Sequence, residues 1–326
     1  MGTLTCVEIC AGAGGQSLGL EDAGFEHSVA VEYDPDACET LRLNRKKWDV
    51  REMDVHQFDG TPFKGADLLA GGVPCPPFSI AGKQLGADDE RDLFPQALRL
   101  VEEIEPEAVM LENVKGLATA RFKDYRKQIT DRLEDLGYEW DWQVLNSSEM
   151  GVPQLRPRFI LVALRPAAYE HFEWPNAQKT PPTVGKSLRT LMGANGWDGL
   201  DEWVKKADGI GPTLVGGSRK HGGPDLGPTR ARAAWLQLGV DGRSIAAEAP
   251  SATDPVDLAP KLTLEMAAKI QGFPPNWKFA GRKTAAYRQI GNAFPPPVAE
   301  AIGTQIKRAI EAAQVSTRHE TLRAVV

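Results

Sequence analysis

The sequence predicts an α/β fold with a second, smaller, loop-rich domain. Over the first half of the chain, short apolar runs typical of buried strands alternate with segments of helical periodicity. Composition changes after Pro166, and from there to about Pro260 the chain is rich in Gly, Pro and Trp with little periodicity. We therefore predict a large domain at residues 1–165, a small domain at 166–260, and a return to the large domain at 261–326.

The predicted strands are short apolar runs bounded by polar or glycine-containing segments, at residues 4–9, 28–31, 66–70, 108–111, 140–145 and 159–164. The predicted helices carry apolar residues at helical spacing, at residues 36–44, 93–104, 122–136 and 298–312, with a further helix beginning near residue 262. We expect the tail after Gln314 to fray, because chain ends are often poorly held.

Composition narrows the class of protein. The chain has 42% apolar and 25% charged residues, which is ordinary for a soluble globular protein. Its four cysteines lie in the first quarter and form no Cys-x-x-Cys pair, so no metal or redox site is indicated. Neither a signal peptide nor an apolar run of membrane-spanning length is present, which predicts a cytoplasmic protein.

Charge is distributed unevenly along the chain. The net charge is −6, yet residues 205–243 hold seven Lys/Arg against three Asp, and residues 261–308 hold eight Lys/Arg against two Glu. An acidic body with a basic carboxyl-terminal half suits a protein that presents one face to a polyanion. The alternative is a solvated surface with no partner.

The stretch at residues 71–79 carries the clearest chemical signal. It follows the predicted strand at 66–70, and Pro74, Pro76 and Pro77 fix the backbone around Cys75 as a rigid turn. Folds of the α/β class place their chemistry at the carboxyl ends of strands, so Cys75 is a candidate nucleophile. The alternative is a small buried apolar side chain, which is the usual role of a free cysteine.

A glycine-rich loop at residues 10–20 follows the first strand and opens a helix, which is typical of a cofactor-binding loop. The dinucleotide fingerprint would need Gly at position 17, where Ser17 stands, and this counts against NAD. Glu32 ends the second strand and could bind ribose hydroxyls. Asp54 could accept from an adenine amino group. Alternatively, Glu32 is a surface residue and Asp54 an ordinary turn residue.

Three further segments could belong to the same site. The polar residues 79–91 include two glycines and predict a mobile lid. Glu112 follows the strand at 108–111 and could face Cys75, although a lone Glu is more often solvated. Gln154, Arg156 and Arg158 alternate and should project to one side of an extended segment, unless they only solubilise an edge strand.

Taken together, these motifs resemble those of the DNA cytosine-C5 methyltransferase family, in the family's order and over almost the whole chain. The loop at 12–19 is similar to the family's S-adenosylmethionine loop, and residues 71–79 to its nucleophile motif. Glu112-Asn113-Val114 is similar to its acid motif and residues 154–158 to its arginine motif. Gln-Gly-Phe-Pro at 271–274 and Gly-Asn-Ala at 291–293 resemble its last two motifs, and residues 166–260 occupy the place of its target recognition domain.

The sequence departs from the family pattern at three places. Cys10 stands where many members have Phe, and Pro76 where many have Gln. Glu265-Met266 stands where members commonly have Arg-Glu, which bears on a structural contact between the two domains and not on the chemistry.

The resemblance implies a Rossmann-like S-adenosylmethionine-dependent methyltransferase sheet and a covalent mechanism. The Cys75 thiolate would add to cytosine C6, so that C5 can attack the sulfonium methyl group, and loss of the C5 proton would then expel Cys75. Glu112 would hold a proton on cytosine N3. Arg158 and Arg156 would favour the thiolate. Asn113 and Asn292 would hold the backbone of the site.

The resemblance also implies the binding residues. The cofactor would contact nine of them, namely Cys10, Ala11, Gly12, Gly14, Gly15, Glu32, Asp54, Leu93 and Asn292, and no metal is expected. The target base would be flipped out of the duplex. Two groups of side chains would contact DNA, namely Ser79, Lys83 and Arg91 in the lid and Arg219, Lys220, Arg230 and Arg232 in the small domain.

The predicted protein is a monomer that acts on double-stranded DNA, at the nucleoid, alongside a cognate restriction endonuclease. An RNA cytosine methyltransferase is the main alternative, but the small domain of 95 residues is not shortened as it is in the tRNA-acting relatives. A DNA-binding protein without catalysis is a further alternative, against which intact Cys75, Glu112 and Arg158 count.

Overall fold

The computed structural model describes residues 2–74, 92–177, 180–217 and 223–324, with side chains through residue 316. The described strands are β1 Leu4–Ile9, β2 Phe25–Glu32, β3 Val50–Glu52, β4 Leu68–Gly71, β5 Ala108–Val114, β6 Glu139–Asn146, β7 Gln154–Leu155, β8 Pro157–Leu164 and β9 Gly211–Pro212. The described helices are α1 Gly15–Asp22, α2 Pro35–Asn44, α3 Phe94–Ile104, α4 Lys123–Asp135, α5 Pro166–Tyr169, α6 Val184–Met192, α7 Leu200–Lys206, α8 Thr229–Gln237, α9 Leu264–Gln271, α10 Lys283–Asn292 and α11 Pro296–Ala324.

The central sheet has seven strands in the order β3-β2-β1-β4-β5-β8-β6. The pairs from β3 to β5 are parallel, whereas β8 runs antiparallel to both β5 and β6. This confirms the predicted α/β class and its Rossmann-like sheet. The strands of the parallel part are apolar on both faces. Helices must therefore cover both faces of the sheet.

Alternate residues of the strands enter two different apolar cores. Val7 and Leu69 pack on one face with α3 and α4, whereas Cys6 and Leu68 pack on the other face with α1, α5 and α11. The sheet is therefore the middle layer of three, and its ends are the places where a ligand can reach the backbone.

Helices α1 and α11 cross at a glycine. A Cβ on Gly19 would lie 2.3 Å from the carbonyl oxygen of Pro296 and 2.7 Å from the backbone nitrogen of Glu300. Such distances are shorter than any side chain tolerates, so only glycine allows the two helices to approach this closely. This contact fixes the position of α1, whose first turn borders the site.

Residues 184–245 share a third core with α9, α10 and Leu18 of α1. The prediction of a loop-rich domain with little regular structure understated its helix content, since α6, α7 and α8 lie within it. The buried Trp197, Trp203 and Trp235 supply the apolar volume that orders these helices, a feature that periodicity alone does not register.

Several predicted segment ends were wrong, such as the start of β2, which is Phe25 and not residue 28. Strand β5 continues through Val114, and not only to residue 111, because the antiparallel partner β8 pairs with it through Arg158. Helix α11 continues past Gln314 to Ala324, where we expected fraying, because the sequence from residue 304 onward contains no Gly or Pro to end a helix. Within the described residues, no helix has an apolar run long enough to cross a membrane.

The departure at Glu265-Met266 lies in the first turn of α9. Thr263 caps this helix by accepting from the Met266 backbone nitrogen at 3.2 Å, and the Met266 sulfur accepts from the Thr263 nitrogen at 3.4 Å. Met266 is buried in the third core. A thioether thus takes the position that a carboxylate or amide occupies in the usual capping box.

Candidate active site

Strand register places four residues in a row at the carboxyl edge of the sheet. Val31 on β2, Ile9 on β1, Gly71 on β4 and Leu111 on β5 are successive partners across four parallel strands. The next residues in each strand's sequence are therefore Glu32, Cys10, Gly72 and Glu112. Cys10 and Gly72 lie between the two carboxylates of this row. Their small size leaves space for a ligand between Glu32 and Glu112.

The glycine loop begins with strained backbone. Cys10 is a non-glycine residue with φ +52°, and Gly12 has φ +55°. A positive φ is unfavourable for cysteine and persists where the surroundings require it, which is common beside binding sites. The Gly12 nitrogen donates to Glu32 Oε2 at 2.8 Å, so the loop is fixed to the second strand.

Glu32 organises the rim of the site. Its Oε1 accepts from the backbone nitrogens of Tyr33 at 2.8 Å and Asp34 at 2.7 Å. Burial raises the pKa of Glu32 above its ordinary value, and these backbone hydrogen bonds oppose that shift. Asp54 differs, because hydrogen bonds from the backbone and ring of His56 lower the pKa of its half-exposed carboxyl.

Glu112 forms an ion pair with Arg158. The Arg158 Nε lies 2.6 Å from Glu112 Oε1, and both side chains are largely buried. The other oxygen, Oε2, lies toward Gly72, 3.5 Å from the position that a Cβ there would occupy. A carboxyl group held through one oxygen can present the other oxygen to a ligand in the space above Gly72.

Two hydrogen bonds frame the segment that carries Cys75. The Asn113 Nδ2 donates to the Val73 carbonyl oxygen at 2.7 Å, and the Leu93 nitrogen donates to the Pro74 carbonyl oxygen at 3.3 Å. The residues on either side of segment 75–91 are therefore joined by a backbone hydrogen bond between Pro74 and Leu93. This agrees with the backbone-holding role expected for Asn113.

Gln154, Arg156 and Arg158 do not solubilise an edge strand, because the first two side chains are buried and the third is largely buried. Gln154 donates to Gln271 Oε1 at 2.8 Å, and Arg156 donates to the Leu214 carbonyl oxygen at 2.8 Å. Arg156 is 1% exposed, and burial lowers its pKa well below the usual value. Among the described residues, the ion pair with the Glu112 carboxyl is formed by Arg158.

The segment at residues 214–217 reaches the site through these partners. The Leu214 nitrogen donates to Gln154 Oε1 at 2.8 Å, and the Asn292 Nδ2 donates to the Gly217 carbonyl oxygen at 3.1 Å. A Cβ on Gly291 would lie 2.4 Å from the Gly216 nitrogen, so two glycines allow the segment to contact α10 directly.

These elements enclose a cleft of about 730 Å³ at the carboxyl edge of the sheet. Its wall includes Pro74 and Glu112 together with eight of the nine predicted cofactor residues, namely Cys10, Ala11, Gly12, Gly15, Glu32, Asp54, Leu93 and Asn292. Gly14 is not part of the wall. It has φ +82° and packs toward Leu41 and Trp277.

Several residues of the wall were not predicted from the sequence, chiefly Tyr33, Asp34, Met53, His56 and Arg288. Tyr33 is 62% exposed and directly follows Glu32, so an aromatic residue after a strand-end acid was a usable signal. Arg288 lies near Asp34, with 3.5 Å between Nη2 and Oδ2, and no local pattern indicated that α10 brings it there.

Some of the predicted site residues fall outside the part of the chain that the structure describes. Cys75, Ser79, Lys83, Arg91, Arg219 and Lys220 lie outside the described residues. Arg230 and Arg232 lie in the first turn of α8, where Arg230 is exposed and Arg232 donates to Thr229 Oγ1 at 3.3 Å.

The sheet order, the glycine loop and the acid-lined cleft define a Rossmann-like methyltransferase fold. The family model of the C-5 cytosine-specific DNA methylases matches residues 4–308. The chain therefore belongs to this family and is a DNA (cytosine-5-)-methyltransferase, as the motif order predicted. The family and the fold imply S-adenosylmethionine as the methyl donor and DNA as the substrate.

Two curated relatives align over nearly the whole chain. The Type II methyltransferase M.NaeI of Lentzea aerocolonigenes is 56% identical over 314 residues, covering 95% of this chain and 76% of the relative. The Type II methyltransferase M.NgoMIV of Neisseria gonorrhoeae is 51% identical over 311 residues, covering 94% of this chain and 98% of the relative.

Solved structures share the fold. A DNA modification methyltransferase encoded within an E. coli prophage aligns with TM-score 0.67 and 24% identity, covering 94% of this chain and 99% of that chain. The S. pombe Dnmt2 methyltransferase aligns with TM-score 0.62 and 16% identity, covering 94% and 98%. At these identities the likeness establishes the fold alone.

Proposed function

We propose that the protein transfers a methyl group from S-adenosylmethionine to C5 of a cytosine within a specific double-stranded DNA sequence, through base flipping and a transient covalent bond between Cys75 and cytosine C6. The observation that carries the proposal is that Pro74, the residue before Cys75, lines the same cleft as Glu112 and the glycine loop. A nucleophile, an acid and a donor site must meet for this chemistry.

The cleft fits the methyl donor in size and in polar groups. Its volume of about 730 Å³ is in the range of clefts that hold cofactor-sized ligands. Glu32 would accept from the ribose hydroxyls, and Asp54, ionised and at the rim, from the adenine amino group. Leu93 would pack near the adenine, and Cys10, Ala11, Gly12, Gly15 and Asn292 would surround the methionine end, with Gly14 shaping the loop.

The bound cofactor supplies an electrophilic methyl group on sulfur. Cys75, as thiolate, forms a bond to cytosine C6, and Glu112 holds a proton at N3, so the ring carries no full negative charge. Arg158 fixes the Glu112 carboxyl through Oε1 and adds positive charge at this end of the cleft, which favours a nearby thiolate. After transfer, loss of the C5 proton breaks the bond between Cys75 and C6.

DNA would lie across the basic carboxyl-terminal half. Residues 166–260 would act as the target recognition domain, with residues 1–165 and 261–326 as the catalytic domain. Arg219, Lys220, Arg230 and Arg232 would contact bases or phosphates, while Ser79, Lys83 and Arg91 would close over the flipped cytosine. The two relatives are named as Type II methyltransferases. We propose that this protein likewise serves a restriction-modification system, as a cytoplasmic, nucleoid-associated monomer with a cognate endonuclease.

A covalent trap tests the proposal. We expect the protein to form a stable adduct with a duplex carrying 5-fluorocytosine at its target, because fluorine at C5 prevents the proton loss that releases the cysteine. The adduct should require S-adenosylmethionine and appear as a mass shift on denaturing electrophoresis. Cys75→Ser should form none.

Cys6→Ser is the matched control. The Cys6 side chain is buried in the core on one face of the sheet, so a folded Cys6→Ser variant should still form the adduct. The target can first be found by bisulfite sequencing of DNA from a host that expresses the gene. Methyl transfer to tRNA and not to duplex DNA, or an adduct that survives Cys75→Ser, would contradict the proposal.

The pH dependence of cofactor binding tests the role of Glu32. Burial raises the pKa of Glu32 above its ordinary value of 4.5, so its carboxylate takes up a proton at a higher pH than a free Glu. A protonated carboxyl is a poorer acceptor for ribose hydroxyls. Affinity for S-adenosylhomocysteine, measured by calorimetric titration, should therefore fall as pH is lowered toward 4.5.

Two variants assign this pH dependence. Glu32→Gln should bind more weakly but without the slope in this range. Asp54→Asn should keep the slope, because the lowered pKa of Asp54 keeps it ionised throughout. A slope that persists in Glu32→Gln would show that another group is responsible.

A further inference from the structure

Gln16 is a buried polar side chain whose partner is missing among the described residues. It lies in the first turn of α1, is 4% exposed and lines the cleft. Neither its Oε1 nor its Nε2 has a hydrogen-bond partner in the described part of the chain. Buried amides are nearly always paired, so an unpaired one in a cleft wall indicates a ligand that supplies both a donor and an acceptor.

Gln16 lies in the cleft wall close to the place where the start of α1 meets the end of α10. Next to it, a Cβ on Gly15 would lie 2.2 Å from the Phe294 carbonyl oxygen and 3.2 Å from the Ala293 Cβ, so the start of α1 packs against the end of α10. The start of a helix favours negative charge and the end of a helix favours positive charge. No side chain caps the start of α1, and its first turn has no acidic residue.

Two other groups of wall residues suit other parts of the donor. Glu32 and Asp54 are expected to hold the ribose and adenine. Pro74 and Glu112 are expected to lie beside the reacting centre. The amino-acid end of the donor is left for the wall that contains Gly15, Gln16 and Asn292. That group is a zwitterion, which a carboxamide and two oppositely polarised helix ends complement.

We propose that Gln16 is a cofactor-binding residue that holds the methionine end of S-adenosylmethionine, its Nε2 donating to the carboxylate and its Oε1 accepting from the ammonium group. This inference rests on the proposed function, because it assumes that the cleft binds this donor. It assigns to one side chain the recognition of the amino-acid part, separate from recognition of the adenosine.

Calorimetric titration of the full chain with two ligands tests the assignment. S-adenosylhomocysteine carries the amino-acid end, whereas 5′-methylthioadenosine lacks it. Gln16→Met keeps the size of the side chain and removes both hydrogen-bonding groups, so it should weaken S-adenosylhomocysteine binding by about tenfold or more. Binding of 5′-methylthioadenosine should change by less than about twofold, since its contacts lie elsewhere in the cleft.

Gln16→Glu provides a second variant if Gln16→Met does not fold. It keeps the acceptor but brings a negative charge toward the ligand carboxylate, so it should again weaken S-adenosylhomocysteine selectively. Ser17→Ala is the matched control. Ser17 is the adjacent fully buried residue, and its hydroxyl also has no partner among the described residues, but it does not line the cleft.

The outcomes separate this inference from the proposed function. Folded Gln16 variants that bind both ligands like the wild type, or that lose both equally, would overturn the assignment while leaving the cofactor site in place. A wild-type protein that binds neither ligand would instead contradict the proposed function. Selective loss in both variants with none in Ser17→Ala is the expected result.

Discussion

Glu112→Gln should lower the rate of methyl transfer by about a thousandfold, within the range found when a positioned acid or base is removed. A carboxamide cannot carry the proton that we assign to cytosine N3, and it does not form the ion pair that joins Glu112 to Arg158 at 2.6 Å. Transfer of labelled methyl groups to a target duplex measures the rate. Affinity for S-adenosylhomocysteine should change little, because Glu32 and the glycine loop remain.

Glu102→Gln is a suitable control for this variant. Glu102 forms an exposed ion pair with Arg132 at 2.7 Å, and neither residue is part of the cleft wall. Removing an exposed ion pair has a small effect on stability. The Glu102→Gln variant should therefore keep wild-type methyl-transfer activity. If folded Glu112→Gln protein methylated DNA at close to the normal rate, Glu112 would not be the acid of the reaction.

Gly19→Ala should lower the free energy of unfolding by about 2 kcal/mol. The added methyl group would meet the Pro296 carbonyl oxygen at 2.3 Å, the Ala299 Cβ at 2.6 Å and the Glu300 nitrogen at 2.7 Å, none of which can move without shifting α11. Overpacking typically costs about 1–3 kcal/mol, and a clash with the backbone of a packed helix belongs at about the upper value. The gain of about 1 kcal/mol from replacing a helical glycine with alanine offsets only part of that cost.

Urea unfolding of Gly19→Ala and Gly116→Ala provides the comparison. Among the described residues, the nearest neighbour of a Cβ on Gly116 would be the Val114 side chain at 3.9 Å, so the same substitution there adds no clash with them. We expect Gly116→Ala to remain near the wild-type stability. Equal stability of the two variants would mean that the crossing of α1 and α11 tolerates a side chain at position 19.

Local patterns were sufficient for much of the sheet. Apolar runs bounded by turn residues identified β1 at Leu4–Ile9 exactly as described and most of β8, because a strand buried on both faces has a distinctive composition. The same patterns ended β5 too early. A strand's end depends on its partner, and the partner β8 follows more than forty residues later in the chain.

For the site, the sequence identified the residues that lie at strand ends and in tight turns. Glycine spacing, the Glu32 carboxylate and the Glu112-Asn113 pair could be selected because each follows a recognisable strand. Arg288 and Gln16 could not be assigned in this way. One lies on a helix far along the chain, and the other is informative only because burial leaves its amide without a partner.

By itself, the sequence determined the class of fold, the motif order and the identity of the groups that can do chemistry, because these depend on composition and short-range spacing. Only the tertiary structure decided which groups meet. It paired Arg158 and not Arg156 with Glu112, placed Pro74 and Glu112 in one cleft with the glycine loop, and brought Gly217 to Asn292. These contacts join residues distant along the chain, and strand register and helix packing set them, which no local pattern encodes.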